Sequence, residues 1–199
     1  MTTLTFRVEY APSPIGAIAI VTDDRDRLRA LDFEDDAERM LRLLGLHYGL
    51  CSAVRIEDRA ASSARRRLED YLAGDLRAID SLRVETGGTA FQRAVWAELR
   101  RIPAGQTISY GALAARIDRP KAVRAVGMAN GANPVAIVVP CHRVIGADGS
   151  LIGYGGGLER KQWLLAHEGA EFPFPISAIP DKAAGGIAIR RGPEHRRDS

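Results

Sequence analysis

Residues Pro134 to Pro140 read Pro-Val-Ala-Ile-Val-Val-Pro, five apolar residues closed at both ends by proline. Proline removes a backbone donor and biases the residue before it away from the helical region, so a helix cannot run through the segment. The run is far shorter than the ~20 residues that span a membrane. It is therefore expected to be a short buried strand, and the fold must build a core around it. What leaves that core is Cys141-His142-Arg143. Any fold adopted by this chain must place a thiol, an imidazole and a guanidinium at the rim of its interior.

The material for such a core is present. The chain has 199 residues, 46% hydrophobic and 27% charged, which suits one large domain or two small ones and excludes a disordered chain. Its first ten residues include Arg7 and Glu9 and carry no apolar signal core, so the expected location is the cytoplasm. There the two cysteines, Cys51 and Cys141, are expected to be free thiols. Charge is uneven along the chain. Residues 1–84 carry 13 Arg against 15 Asp and Glu, whereas residues 85–170 carry 10 Lys and Arg against 6 Asp and Glu. The basic middle segment is where a polyanion would bind.

Residues 1–84 read as an α/β unit. Strands are expected over Thr3–Glu9, Gly16–Val21 and Leu28–Phe33, the last alternating apolar and polar residues. Asp35 or Asp36 can cap a helix that runs through Leu44 to the breaker Gly45, and a second helix should cover Ala64–Leu72 with Leu68, Tyr71 and Leu72 inward. No chemical constellation is visible there, so this unit reads as a scaffold. Val84 to Thr89, with Gly87 and Gly88, reads as a linker. Residues 171–199 hold four prolines and little periodicity and read as a poorly ordered tail.

Residues 85–170 form the second expected unit. Thr89 and Gln92 have capping-box spacing, and Phe91, Val95, Leu99 and Ile102 make an apolar stripe behind them. Ser109 can start a short helix, Tyr110 to Ile117. Asp118-Arg119-Pro120 breaks it, with Pro120 suited to the first turn of a further helix from about Lys121 to Asn130, stopped by Gly131. Two short helices with a tight turn between them resemble a helix-turn-helix, a pattern shared by structural hairpins and DNA readers. After Arg124 the second helix is made largely of small residues, and Gly127 costs it roughly 1 kcal/mol of helix propensity. Either another helix packs tightly against it, or a duplex groove approaches its backbone.

Cys141 admits two readings as well. An isolated cysteine is usually a buried, inert side chain. At the exit of a buried strand, followed by His142 and Arg143, it is instead a candidate nucleophile: nearby positive charge lowers a thiol pKa, and the imidazole can take the proton. Neighbours on an extended chain point to opposite sides, so the thiol and imidazole should communicate through a water or a turn. Glu168, beyond the apolar helix Leu158–Ala166, could orient the imidazole.

The motifs together settle between these alternatives. Asn133-Pro134, Pro140-Cys141-His142-Arg143-Val144-Ile145-Gly146, Gly153-Tyr154-Gly155-Gly156-Gly157-Leu158, Ile108-Ser109-Tyr110-Gly111, Arg124-Ala125-Val126-Gly127 and Trp163-Leu164-Leu165-Ala166-His167-Glu168-Gly169 resemble, in order and without gaps over about residues 88–170, the O6-alkylguanine-DNA alkyltransferases. The resemblance implies an RNase H-like α/β domain at the N-terminus, and a mainly helical domain carrying the helix-turn-helix and active-site loop.

It also implies roles. Cys141 would be the alkyl acceptor, attacking the alkyl carbon on guanine O6 to leave a stable thioether, so that each molecule acts once. His142 would relay the thiol proton through a water, and Glu168 would hold that histidine. Asn133 would order the turn around the site. Tyr110 would donate to guanine N3 and offset charge on the leaving purine. Arg124 would enter the base stack in place of the extruded nucleotide. Ala125, Gly127, Ala129 and Gly131 would let the second helix enter the minor groove. Val144, Tyr154 and Gly155 would line the base pocket, with backbone groups reading the base edge. Arg143 reads as a structural ion pair.

The implied partner is double-stranded DNA containing O6-alkylguanine, and O4-alkylthymine as a further substrate. The chain is expected to act as a monomer without membrane, metal or cofactor. Some relatives carry serine where this chain has Gly155, which would alter pocket width. Some bind zinc near the N-terminus, but His47 and Cys51 alone cannot make a tetrahedral site. Relatives that bind alkylated DNA without repairing it lack the acceptor cysteine. A non-catalytic lesion-binding protein is therefore the alternative, disfavoured by Cys141; a Cys–His hydrolase would leave the small-residue helix unexplained.

Overall fold

A computed structural model describes residues 5–49, 53–56 and 61–171. Strands β1 (Thr5–Ala11), β2 (Ile18–Asp23) and β3 (Leu28–Phe33) are followed by helix α1 (Ala37–Tyr48), strand β4 (Ala53–Ile56) and helix α2 (Ser63–Leu72). The sheet order is β3-β2-β1-β4. β1 pairs antiparallel with β2, β2 antiparallel with β3, and β1 parallel with β4. This is the expected N-terminal α/β unit. Cys51 and residues 172–199, including Phe172 and Phe174, lie outside the described residues.

β2 and β3 are buried along their whole length, because the sheet is covered on both faces. Phe6, Val8, Ala19, Val21 and Ala30 pack against Met40 and Leu44 of α1. Ile18, Ile20, Leu31 and Phe33 join the main core with Leu68 and Tyr71 of α2. The polar residues of β3, expected from their alternation to meet solvent, are buried too. Arg29 pairs with Asp23 at 2.6 Å, and Asp32 pairs with Arg39 of α1. A second expectation also shifts. α1 does not stop at Gly45 but continues to Tyr48 and ends at Gly49, whose φ is 82°. The edge contact of Tyr48 with Phe6, 5.2 Å between ring centroids, offsets the modest propensity cost of one glycine.

The segment expected to link the units lies against the first one. Val84 bridges Leu28, and the Tyr48 hydroxyl donates to Glu85 O at 2.8 Å. A Cβ at Gly87 would meet His47 Cβ at 2.7 Å, so the close approach of the chain to α1 depends on glycine there. His47 itself packs edge-on against Trp96, 5.7 Å between centroids.

The second unit comprises α3 (Ala90–Leu99), β5 (Ile108–Ser109), α4 (Tyr110–Arg116), α5 (Val123–Gly131), β6 (Val144–Ile145) and α6 (Leu158–His167). The full capping box of Thr89 and Gln92 forms at α3, and the Ser109 side chain accepts from Ala112 N at α4. Pro120 is not in the first turn of α5. It sits in the preceding turn, closed by Ala122 N donating to Arg119 O at 2.8 Å, where its fixed φ favours the second turn position.

The run Pro134–Pro140 is buried but is not a strand. It makes one parallel bridge, Leu31 to Val135, with Leu31 N donating to Pro134 O and Ala136 N to Leu31 O. It then coils into tight turns. Val138 N reaches back to Ala136 O around Ile137, whose φ is +67°, and Cys141 N reaches Val139 O around Pro140 at φ −80°, ψ 67°. The latter is an inverse γ-turn; the former places a β-branched residue in a region such residues rarely occupy. Local hydrogen bonds replace the missing ladder, which lets five apolar residues be buried without a second strand partner.

Candidate active site

Cys141, His142 and Arg143 form a single 3₁₀ turn, and all three are buried. The turn replaces the extended backbone expected at this point, and with three residues per turn the thiol and the imidazole point in different directions from it. Asn133 Nδ2 donates to Cys141 Sγ at 3.2 Å and to Val139 O at 2.8 Å, while Asn133 Oδ1 accepts from Val135 N. Asn133 thus both ties the turn and presents a donor to the sulfur. Burial pushes the Cys141 thiol above its ordinary value. The Asn133 hydrogen bond and the positive charges of Arg39 and Lys161 oppose this without overcoming it. The positive surroundings expected to lower the thiol pKa are present, but desolvation dominates.

His142 is fully buried, and its Nε2 lies 3.0 Å from Glu168 Oε1. Burial opposes ionisation of Glu168, but hydrogen bonds from His142 and Arg143 outweigh it and hold the carboxylate well below the usual range. An ionised carboxylate only accepts, so Nε2 carries the ring proton and Nδ1 is the basic nitrogen. Nδ1 is buried and has no hydrogen-bond partner among the described residues. Burial also pushes the His142 pKa down, despite Glu168. The result is a neutral imidazole with its acceptor nitrogen open to a proton. Arg143 grips the other side of Glu168, Nε to Oε2 at 2.9 Å and Nη2 to Oε1 at 2.7 Å, and spans to Ile102 O. It makes the expected structural ion pair.

The N-terminal unit contributes more than a scaffold. Tyr71 of α2 donates its hydroxyl to Glu168 Oε1 at 2.8 Å. Arg39 of α1, anchored by Asp32, donates to Gly131 O at 3.0 Å and Asn133 O at 3.1 Å. Arg160 of α6 returns the contact, with Nε on Ile15 O at 2.8 Å and its guanidinium 4.1 Å from the centroid of Phe33. These residues were not apparent from sequence. Their one signal was Asp32, which shares the short strand β3 with a second charge, Arg29.

Lys161 was likewise missed. It is fully buried on α6, and Nζ donates to Val144 O at 2.6 Å and Ile152 O at 2.7 Å. Burial lowers its pKa to about 8, with the charge that Cys141 can carry pulling the other way. The spacing Lys161, Leu164, Leu165, Glu168 places it on the inward stripe of the helix, a signal legible in the sequence. Val144, expected in the base pocket, is therefore also the carbonyl that anchors Lys161. Tyr154 stands edge-on to His142, 6.4 Å between centroids, and its hydroxyl is buried without a partner among the described residues. At Gly155 an added Cβ would come within 2.7 Å of Arg39 Cζ, so the missing side chain makes room for the guanidinium.

Tyr110, at the start of α4, is partly buried beside this turn, 3.4 Å from Asn130 Nδ2. Arg124, Ala125, Met128 and Gly131 are exposed on α5, with Met128 at 73% the most exposed large apolar side chain recorded there. Ala129 does not join them. It is 3% exposed, and its carbonyl accepts from Trp96 Nε1 at 2.9 Å. Gly127 turns its Cα toward the Tyr110 ring, where a Cβ would sit at an ordinary 3.9 Å. Helical rotation divides the small residues between a packed face and an open one, so Ala129 is corrected from a groove residue to a core residue.

A helix-turn-helix bearing an exposed arginine, set against a buried thiol and an oriented imidazole, fits a DNA-acting enzyme. The family models for the DNA binding domain and the ribonuclease-like domain of 6-O-methylguanine DNA methyltransferase match residues 90–170 and 6–86. A methylated-DNA–protein-cysteine methyltransferase of Salmonella typhimurium is 52% identical over 161 residues, 81% of this chain and 94% of that protein. One from Haemophilus influenzae is 40% identical over 161 residues, 80% and 84% of the two chains. The structure of Mycobacterium tuberculosis OGT in complex with DNA superposes with a TM-score of 0.69 at 39% identity, covering 83% of this chain and 92% of that one. The chain belongs to the methylated-DNA–protein-cysteine methyltransferase family. It is a DNA-binding enzyme of direct-reversal repair.

Proposed function

We propose that Cys141 is the residue that takes the alkyl group, from O6-alkylguanine and also from O4-alkylthymine, in double-stranded DNA. The observation that carries this reading is the joint placement of Cys141 Sγ on the Asn133 donor and of His142, the next residue, on Glu168. His142 Nδ1 draws the thiol proton through a water. The thiolate, stabilised by Asn133 and the charges of Arg39 and Lys161, attacks the alkyl carbon. The sulfur–carbon bond forms as the carbon–O6 bond breaks, and the electron pair stays on the purine. Tyr110 donates to guanine N3 and stabilises that charge, and the proton given up by the thiol returns to the base. A thioether has no carbonyl for water to attack, so the protein is consumed.

Arg124 fills the stack left by the extruded nucleotide, with Ala125, Gly127 and Gly131 in the minor groove and Val144, Tyr154 and Gly155 around the base. We read the protein as a cytoplasmic monomer. Separately, no helix among the described residues is long and apolar enough to cross a membrane. The test uses duplex oligonucleotide carrying O6-methylguanine. The peptide containing Cys141 should gain the mass of one methylene, product should not exceed one per chain, and Cys141→Ser should bind the duplex yet transfer nothing. Arg124→Ala should slow transfer from duplex far more than from free O6-benzylguanine base, which needs no extrusion. Label on another residue, or product rising past the protein count, would overturn the reading.

A further inference from the structure

Asn130 lies on the inward face of α5, 3% exposed. Its Nδ2 is 3.5 Å from the carbonyl oxygen of Cys141 and 3.4 Å from the hydroxyl of Tyr110. The NH2 end of the amide is assigned to the side that faces Cys141, because the carbonyl oxygen there only accepts and would repel Oδ1 at that distance. The same NH2 group faces Tyr110, whose oxygen is therefore the acceptor in that contact. The phenolic hydrogen must turn elsewhere. The acceptors within its reach, Ile152 O and Gly153 O, both stand at 3.5 Å, the outer limit of a useful hydrogen bond. Asn130 Oδ1 is buried with no partner among the described residues, a cost that a merely space-filling residue would not incur.

We propose that Asn130 is a positioning residue for alkyl transfer: it sets the polarity of Tyr110, occupying the hydroxyl oxygen so that the hydrogen is presented to the extruded purine. This rests on the reading of Tyr110 as donor to guanine N3. As charge builds on the leaving purine, Tyr110 donates more strongly and its oxygen becomes more negative. The N–H of Asn130, a side chain that is itself buried, then stabilises that oxygen. Burial and the charge that Cys141 can carry push the Tyr110 hydroxyl away from ionisation, and the Asn130 hydrogen bond is what acts in the other direction. Asn130 also belongs to the helix that carries Arg124, so the element that presents the arginine to DNA also aims the donor at the base.

The experiment measures single-turnover transfer from two duplexes, one carrying O6-methylguanine and one carrying its 3-deaza analogue, in which the N3 acceptor is a C–H. Asn130→Leu should slow transfer from O6-methylguanine about five- to tenfold, the effect of one hydrogen bond, and change the 3-deaza rate less than about twofold. In a Tyr110→Phe background Asn130→Leu should cost nothing further. Asn130→Asp keeps the shape and reverses the polarity; any effect on the thiol cancels in the ratio of the two substrates, which should fall toward one. It also serves if Asn130→Leu does not fold. Equal slowing of both duplexes, or additive losses in the double variant, would mean a structural link only and overturn the proposal. A Tyr110→Phe protein that transfers at the native rate would instead show that the reading of Tyr110 is wrong, and the proposal would fall with it.

Discussion

The hydroxyl of Tyr71 lies 2.8 Å from Oε1 of Glu168, across 97 residues of sequence and from one folding unit to the other. That oxygen also receives His142 Nε2 and Arg143 Nη2. The carboxylate that fixes the imidazole is thus held by the N-terminal unit as well as by the active-site turn. A buried charge with this many donors stays ionised, and its geometry is over-determined.

Tyr71→Phe keeps the ring in a fully buried position and removes one donor. Stability should fall by about 1–2 kcal/mol, and transfer should slow a few-fold because Glu168 holds His142 less firmly. Denaturant midpoints and single-turnover rates on the same preparation check both.

Stability should fall on acidification in two stages. The His142 pKa is lowered in the folded state, so below the unfolded imidazole value of about 6.5 the unfolded chain takes a proton that the folded one refuses. The Glu168 pKa is lowered too, so its contribution is present above the unfolded carboxylate value of about 4.3 and is lost as pH falls toward the folded value. Urea unfolding followed from pH 8 down to about pH 2.5 should show both losses, and Glu168→Gln should remove the lower one.

Two alanines one helical turn apart should respond differently to the same change. Ala129→Leu overpacks a buried position in the main core and should cost about 1–3 kcal/mol of stability. Ala125→Leu adds bulk on the exposed face, so it should leave stability nearly unchanged and weaken duplex binding. Thermal melts and a fluorescence binding titration separate the two faces.

Lys161→Met removes a buried cation and leaves the carbonyls of Val144 and Ile152 without their donor. Loss of the buried charge and loss of the hydrogen bonds oppose each other in stability. In transfer they act together, because the thiolate loses a favourable charge and the loop loses its anchor. The rate with O6-benzylguanine should drop at least tenfold while the melting temperature moves only a few degrees.

Features governed by near neighbours could be read directly. The capping box of Thr89 and Gln92, the cap at Ser109 and the span Leu28–Phe33 all form where expected. The motif resemblance placed Cys141, His142, Asn133 and Glu168 in one site: Asn133 and Cys141-His142 lie on neighbouring turns, and α6 carries Glu168 back to them. Misreadings came where tertiary contacts outweighed local preference: at Gly45, which lies inside α1, and at Pro134–Pro140, which coils instead of extending.

By itself, then, the sequence determined the two units, the helix-turn-helix and the Cys141-His142-Arg143 run that follows the buried segment, since caps, periodicity and contiguous motifs act over a few residues. Only the tertiary structure decided which groups complete the site. Tyr71, Arg39, Lys161 and Asn130 reach it from four different helices, and burial gives each hydrogen bond its importance. Whether a residue such as Ala129 faces solvent or the core depends on the rotation of α5 against its neighbours, which is set by the packing of the whole core.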